Sequence, residues 1–183
     1  MKNFIIISFV LAFIVSCEGP QPRYPVQKKS GSFFKVSIER SKKLLEAETK
    51  LIKNLMRADS LNTYLASPNG FWYTYESKID TASYMPRTND VVLLNYTIMT
   101  LGGDTLYRPE EIGLVDHAVD KSKLFPGLRN AVKLLKQGEK ATFLFPSGQA
   151  FGYKGDQDKI GINLPIKTSL TLLEIKKDSS NLN

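Results

Sequence analysis

Leu124-Phe125-Pro126-Gly127-Leu128-Arg129-Asn130-Ala131-Val132-Lys133-Leu134-Leu135-Lys136-Gln137-Gly138-Glu139-Lys140-Ala141-Thr142-Phe143-Leu144-Phe145-Pro146 is the stretch from which the fold is read. Pro126 has a fixed φ and no N–H to leave unpaired, which suits the first position of a helix. Leu128, Ala131, Val132 and Leu135 then recur at i, i+3, i+4 and i+7, the spacing of one buried helical face. The short helix reads from Leu128 to Lys136, and Gly138 can close it as a C-terminal cap. Lys140 to Phe145 is apolar and β-prone and is ended by Pro146, so it reads as a strand.

The neighbouring segments supply the sheet that such a helix must cover. Phe71-Trp72-Tyr73-Thr74-Tyr75 is aromatic and β-prone, and its rings are read as packing. Asn89-Asp90 marks a turn. Val91 to Thr100 reads as one long strand, apolar enough to be central. Leu101-Gly102-Gly103-Asp104 is a hairpin turn with glycines able to take positive φ, and Thr105-Leu106-Tyr107 starts the return strand. A glycine-bearing loop runs from Ser147 to Leu164, and Thr168 to Ile175 is the last strand. One amphipathic helix against an antiparallel sheet is an α+β plan.

The 183 residues are 42% hydrophobic and 23% charged, an ordinary globular composition that excludes a wholly disordered or collagen-like chain. One Cys and one His exclude an intramolecular disulfide, a cysteine-rich zinc site and a two-histidine zinc helix. Of the net charge of +7, +6 resides in one segment: Lys28 to Arg57 holds nine basic and three acidic residues, and Ala58 onward holds 14 of each sign. A neutral domain behind a basic arm gives no nucleic-acid patch, so nucleic acid is not an expected partner.

Lys2 and the apolar run Phe4 to Ser16 form a short secretory signal, too short for a comfortable membrane span. The bare alternative is a short membrane anchor with a free thiol. Ile14-Val15-Ser16-Cys17, however, resembles the bacterial lipoprotein cleavage box, which implies residues 1–16 as a removed signal peptide and Cys17 as the lipidated N-terminus holding the protein to a membrane. Residues 17–32 follow as a tether, extended by Pro20, Pro22 and Pro25.

Residues 33–67 form a helical arm. Leu44, Leu45, Leu51, Ile52, Leu55 and Met56 recur at helical spacing, with Glu48 interrupting the stripe. Packing on its own domain, pairing with a second copy to make a homodimer, and resting on anionic headgroups all fit such a helix. Ser67-Pro68-Asn69-Gly70 is a turn and a boundary. Residues 70–177 are then the domain and 178–183 a disordered tail.

Taken in order, Asn69 to Tyr73, Asp90 to Tyr96, Phe125 to Val132, Lys136 to Glu139, Phe145-Pro146-Ser147 with Ala150-Phe151-Gly152, and Leu164-Pro165 with the last strand are similar to the landmarks of the FKBP-type peptidyl-prolyl isomerases. With the lipobox and the arm, the chain resembles the FKBP-type lipoproteins associated with gliding motility in flavobacteria. The resemblance implies an antiparallel sheet wrapped around the short helix, a pocket between them, proline-containing client polypeptides of the envelope as partners, and no cofactor or metal. It also implies an outer-membrane anchor facing the periplasm, since only Glu18 follows Cys17 where a surface-export tag would be an acidic run.

Position by position, the resemblance implies Tyr96, Phe125 and Phe151 as the catalytic set, with Phe125 offering its backbone N–H to the substrate carbonyl. Leu106, Tyr107, Leu124, Leu128, Ile162 and Thr171 are implied as substrate-binding residues. Two positions depart from the family: Phe151 stands for the usual Tyr and lacks its hydroxyl, and Tyr107 stands for an Asp. A domain that binds proline segments without turnover therefore remains the alternative. Asp156 and Asp158 read as solvated loop carboxylates, Glu110-Glu111 as a surface pair, and His117 has no nucleophile motif beside it.

Overall fold

The computed structural model describes residues 31–80, 83–121 and 124–181, with side chains from residue 34 onward. The signal segment, Cys17 and the proline-bearing tether lie outside the described residues. Chain contacts divide the protein into Met1–Ser37 and Ile38–Asn183.

Helix α1 (Gly31–Ala58) straddles that division, and everything else belongs to the second unit. Strands β1 (Leu65–Ala66), β2 (Trp72–Ser77), β3 (Val91–Tyr96), β4 (Ile98–Thr100), β5 (Thr105–Tyr107), β6 (Val115–Ala118), β7 (Lys140–Phe145) and β8 (Ile166–Lys176) form one sheet. Its order is β1-β2-β7-β8-β3-β6, with β4 joined to β5 and β8, and each pairing is antiparallel. The short helices are α2 (Pro109–Ile112) and α3 (Pro126–Val132).

Register explains the core. Tyr73, Phe143 and Thr168 align across three strands, as do Tyr75, Ala141, Leu170 and Tyr96 across four. These rows share the face that also carries Leu94 and Leu172, and the apolar side of α3 (Leu128, Ala131, Val132) with Leu135 just beyond it joins them in one buried cluster. The opposite face is largely polar, with Glu76 accepting from Thr142 Oγ1 at 2.6 Å and Ser169 Oγ at 2.8 Å. Leu144 alternates onto this opposite face, yet it is fully buried, as is Ile52 of α1.

Of the three readings of the arm, α1 takes the packed one over its second half. Leu44, Glu48, Ile52, Leu55 and Met56 are the positions withdrawn from solvent. Glu48, which interrupts the apolar stripe, is the anchor: its carboxylate accepts the Ser147 N–H at 2.9 Å and the Ser147 hydroxyl at 2.6 Å, both buried.

Four expectations are corrected. The helix expected over Leu128 to Lys136 with Gly138 as its cap stops at Val132, with Lys133 as C-cap. The strand expected over residues 91–100 is broken at Thr97, whose N–H turns to the Ser169 carbonyl at 3.0 Å. Strand β6 and helix α2 occupy a stretch to which the sequence assigned no element. Residues 178–181, expected as disordered tail, form a 3₁₀ turn over Ser179–Asn181. The turn is tied to fully buried Asp90, whose carboxylate accepts from Asp178 N at 2.8 Å and Asn181 Nδ2 at 2.9 Å.

Candidate functional site

The site is built on the entrance to α3. Phe125 is its N-cap, extended at φ −63° and ψ 152°, with Pro126 at the first helical position. An N-cap N–H lies outside the helical ladder, and among the described residues no acceptor takes the Phe125 N–H. Gly127 is required by close approach: a Cβ there would stand 2.5 Å from the Phe145 ring and 2.7 Å from the Gln149 carbonyl. The Phe-Pro-Gly sequence thus lets the helix start pressed against β7 with the Phe125 N–H outside the helical ladder.

Aromatic rings cluster on the side chain of this residue. Phe125 lies edge-on to Phe145 at 5.4 Å between centroids and meets Phe151 at 5.1 Å, and Phe145 continues to Phe71 at 5.1 Å and to Phe143 at 5.8 Å. Offset or edge-on contacts of this kind contribute about 0.5–1.5 kcal/mol each beyond area burial. Tyr96 and Leu128 belong to the buried core, and Leu106, Tyr107, Leu124, Phe125 and Phe151 pack against it half-buried. Burial pushes the Tyr96 phenol up from its ordinary pKa, so it is a neutral donor at pH 7.

Tyr107 has a distinct environment. Its hydroxyl donates to Asp156 Oδ2 at 2.6 Å and lies 3.1 Å from Asp158 Oδ2. The bond to Asp156 is the main reason its pKa is pushed up to about 12. Burial alone would raise the Asp156 pKa, but the Tyr107 hydroxyl and the Asp158 and Ile160 N–H groups outweigh it and hold the carboxyl below its usual range. Lys159 adds a second tie, pairing with Glu111 of α2 at 2.6 Å and lying 4.7 Å from the Tyr107 ring centre. Asp156 and Asp158, read as solvated carboxylates, thus fasten the loop after Phe151 to β5. Among the described residues no group of three His, Cys, Asp or Glu side chains could hold a metal ion.

Of the nine sequence-derived site residues, seven belong to the buried core or pack against it: Tyr96, Leu106, Tyr107, Leu124, Phe125, Leu128 and Phe151. Two do not. Ile162 is 69% exposed on the loop, and the loop's buried apolar residue is Ile160. Thr171 pairs with Asn95 and Lys140 and alternates away from the core. The inward threonine of β8 is Thr168, fully buried opposite Phe143 with no partner for Oγ1. The alternation Ile166, Thr168, Leu170, Leu172 was the signal that could have found it.

Residues 83–173 match the family model of the FKBP-type peptidyl-prolyl cis-trans isomerases. A probable FKBP-type isomerase, FkpA, of Neisseria meningitidis serogroup B is 31% identical over 90 residues, covering 49% of this chain and 33% of that protein. The chain thus matches about a third of that relative's length. The fold is shared with a crystal structure of a peptidyl-prolyl cis-trans isomerase from Pseudomonas syringae, at a TM-score of 0.57 and 20% identity over 72% of this chain and 96% of that one. It is shared also with FkpA from Escherichia coli, at a TM-score of 0.58 and 19% identity over 96% of this chain and 82% of that one. The segment 83–173, which carries α3 and the aromatic rings around its start, thus matches the FKBP-type peptidyl-prolyl isomerase family.

Proposed function

We propose that the protein is a peptidyl-prolyl cis–trans isomerase that acts on proline-containing chains of envelope or secreted proteins. The observation that carries this reading is the Phe125 N–H at the start of α3, for which no acceptor stands among the described residues, on a residue whose ring meets Phe145 and Phe151. The bond before proline exchanges over about 18–20 kcal/mol because amide resonance must be lost, and unaided exchange takes tens to hundreds of seconds. The twisted amide is less charge-separated than the planar one. An apolar cleft therefore favours it over the ground state, and a fixed N–H holds its carbonyl. The prolyl ring lies between Phe125, Phe151 and Tyr96, with Leu128 beneath. No covalent intermediate forms and no proton moves.

The lipobox motif supports anchoring through Cys17, on a membrane facing the periplasm. The three-part plan of lipobox, helical arm and isomerase domain supports a role as a folding factor for envelope proteins, those of gliding motility included. A homodimer formed through the start of α1 completes the proposal, because Phe34 and Val36 are 60% and 56% exposed there.

The test is a protease-coupled assay on a short Xaa-Pro peptide with catalytic amounts of protein. Acceleration by the parent and its loss in Tyr96→Ala/Phe125→Ala supports turnover. Equal rates, with the peptide still bound by the parent, assign the domain to binding without catalysis.

A further inference from the structure

Beside the site lies a second concavity, of about 560 Å³, that the prolyl reading does not use. One wall is α1, through Leu44 and Leu45; the other is the turn after β7, through Gly148, Ala150, Phe151 and Tyr153. The volume lies within the range of about 300–1,000 Å³ that ligand sites occupy. The groove is mainly apolar, and its one carboxylate, Glu48, is committed to Ser147. Its rims leave apolar surface in solvent, with Leu45 51% and Tyr153 75% exposed. Phe151 belongs to both places: its ring meets Phe125 at 5.1 Å and also lines the groove.

We infer that this groove seats the apolar stretch of an extended client chain adjoining its prolyl residue. The inference rests on the isomerase reading and deepens it. Continuity decides the occupant. A chain whose proline rests against Phe125 and Phe151 can pass the edge of Phe151 into the groove with no gap of solvated surface. Asn163 closes the far side, where its N–H is bonded to the Gly152 carbonyl at 2.8 Å, so the groove wall and the loop beside the site form one hydrogen-bonded unit. Glu48 fixes α1 on the other side, so both walls exist before a client arrives and little ordering is needed on binding. Clients rich in apolar residues next to proline, hence those still unfolded, are selected.

Two variants change the groove and spare the prolyl site. Leu45→Glu places a charge in its apolar wall. Gly148→Leu fills it, from a position where an added Cβ meets nothing within 4 Å. The full chain and both variants are assayed on a tetrapeptide with one Xaa-Pro bond and on a peptide of about a dozen residues, which at about 3.3 Å per residue crosses both places. The longer peptide carries the same bond flanked by apolar residues. The expected result is unchanged kcat/KM on the tetrapeptide, with KM for the longer peptide raised about tenfold in both variants. An unchanged KM on the longer peptide overturns the inference. So does a parent dimer that Leu45→Glu converts to monomer in sedimentation, since the groove then holds a second copy. If the parent turns over neither peptide, the isomerase reading fails separately. The groove is then judged by the longer peptide's Kd, which rises about tenfold in Leu45→Glu if the inference holds and stays level if it does not.

Discussion

Phe151 condenses the chemistry of the site into one side chain. It keeps a ring wall 5.1 Å from Phe125 and supplies no hydroxyl. A neutral hydrogen bond contributes about 0.5–1.5 kcal/mol net, so Phe151→Tyr should raise affinity or turnover by at most about tenfold. Phe151→Ala should lose more than that gain, because the wall goes as well; turnover and peptide affinity, measured side by side, check both. Gly127→Ala should cost about 1–3 kcal/mol in urea unfolding, since its methyl has nowhere to go between Phe145 and the Gln149 carbonyl. His117 is the residue that makes stability depend on pH. It is fully buried on β6, neither ring nitrogen is bonded among the described residues, and burial lowers its pKa, against the pull of Asp120 and with the push of Arg129 and Lys133. The unfolded chain therefore binds this proton more readily. The neutral ring's contribution is fully present above about pH 6.5 and declines as pH falls below it, by at most about 1.4 kcal/mol per pH unit. Urea midpoints between pH 7.5 and pH 5 should fall for the parent and fall less for His117→Leu; equal slopes would remove His117 from the explanation.

At the scale of elements, α1 is held by a polar contact inside an apolar stripe. Glu48→Ala leaves the Ser147 N–H and hydroxyl buried and unpaired, each costing about 1–3 kcal/mol. Hydrogen exchange should then show the amides of α1 losing protection while those of β7 and β8 keep theirs; unchanged protection in α1 would mean that the helix is held elsewhere. The same contact shows how far a sequence can be read. Segments with a single period, such as the α3 face, β7 and the start of β3, were legible because neighbouring residues state their own environment. Glu48 looked like a flaw in the stripe because its partner lies 99 residues away. The break at Thr97 was hidden for a similar reason: the Ser169 carbonyl that takes its N–H belongs to another strand. Thr171 was placed in the pocket and Thr168 overlooked because a shift of three along a strand reverses the face, and only pairing with β7 and β3 fixes the parity. Seven of the nine expected site residues lie in or against the core, where the resemblance put them by motif, whereas the fastening of Tyr107 by Asp156 depends on loop geometry that no motif states.

At the scale of the molecule, a neutral domain follows a basic arm and a segment that resembles a lipobox, proposed above as catalyst, client-facing helix and anchor. Cys17→Ser should abolish labelling by a fatty-acid analogue and release the protein from the membrane fraction; a variant that labels and fractionates like the parent contradicts the anchor. The central claim is that an apolar cleft with one fixed backbone donor turns the prolyl bond, with no phenol at position 151. The most direct measurement is the cis–trans exchange rate of a prolyl peptide, followed by magnetisation-exchange NMR with catalytic amounts of the full chain. The account predicts exchange far above the uncatalysed rate for the parent and near that rate for Tyr96→Ala/Phe125→Ala. Exchange that stays at the uncatalysed rate with the parent, while its peptide resonances shift on binding, would contradict it.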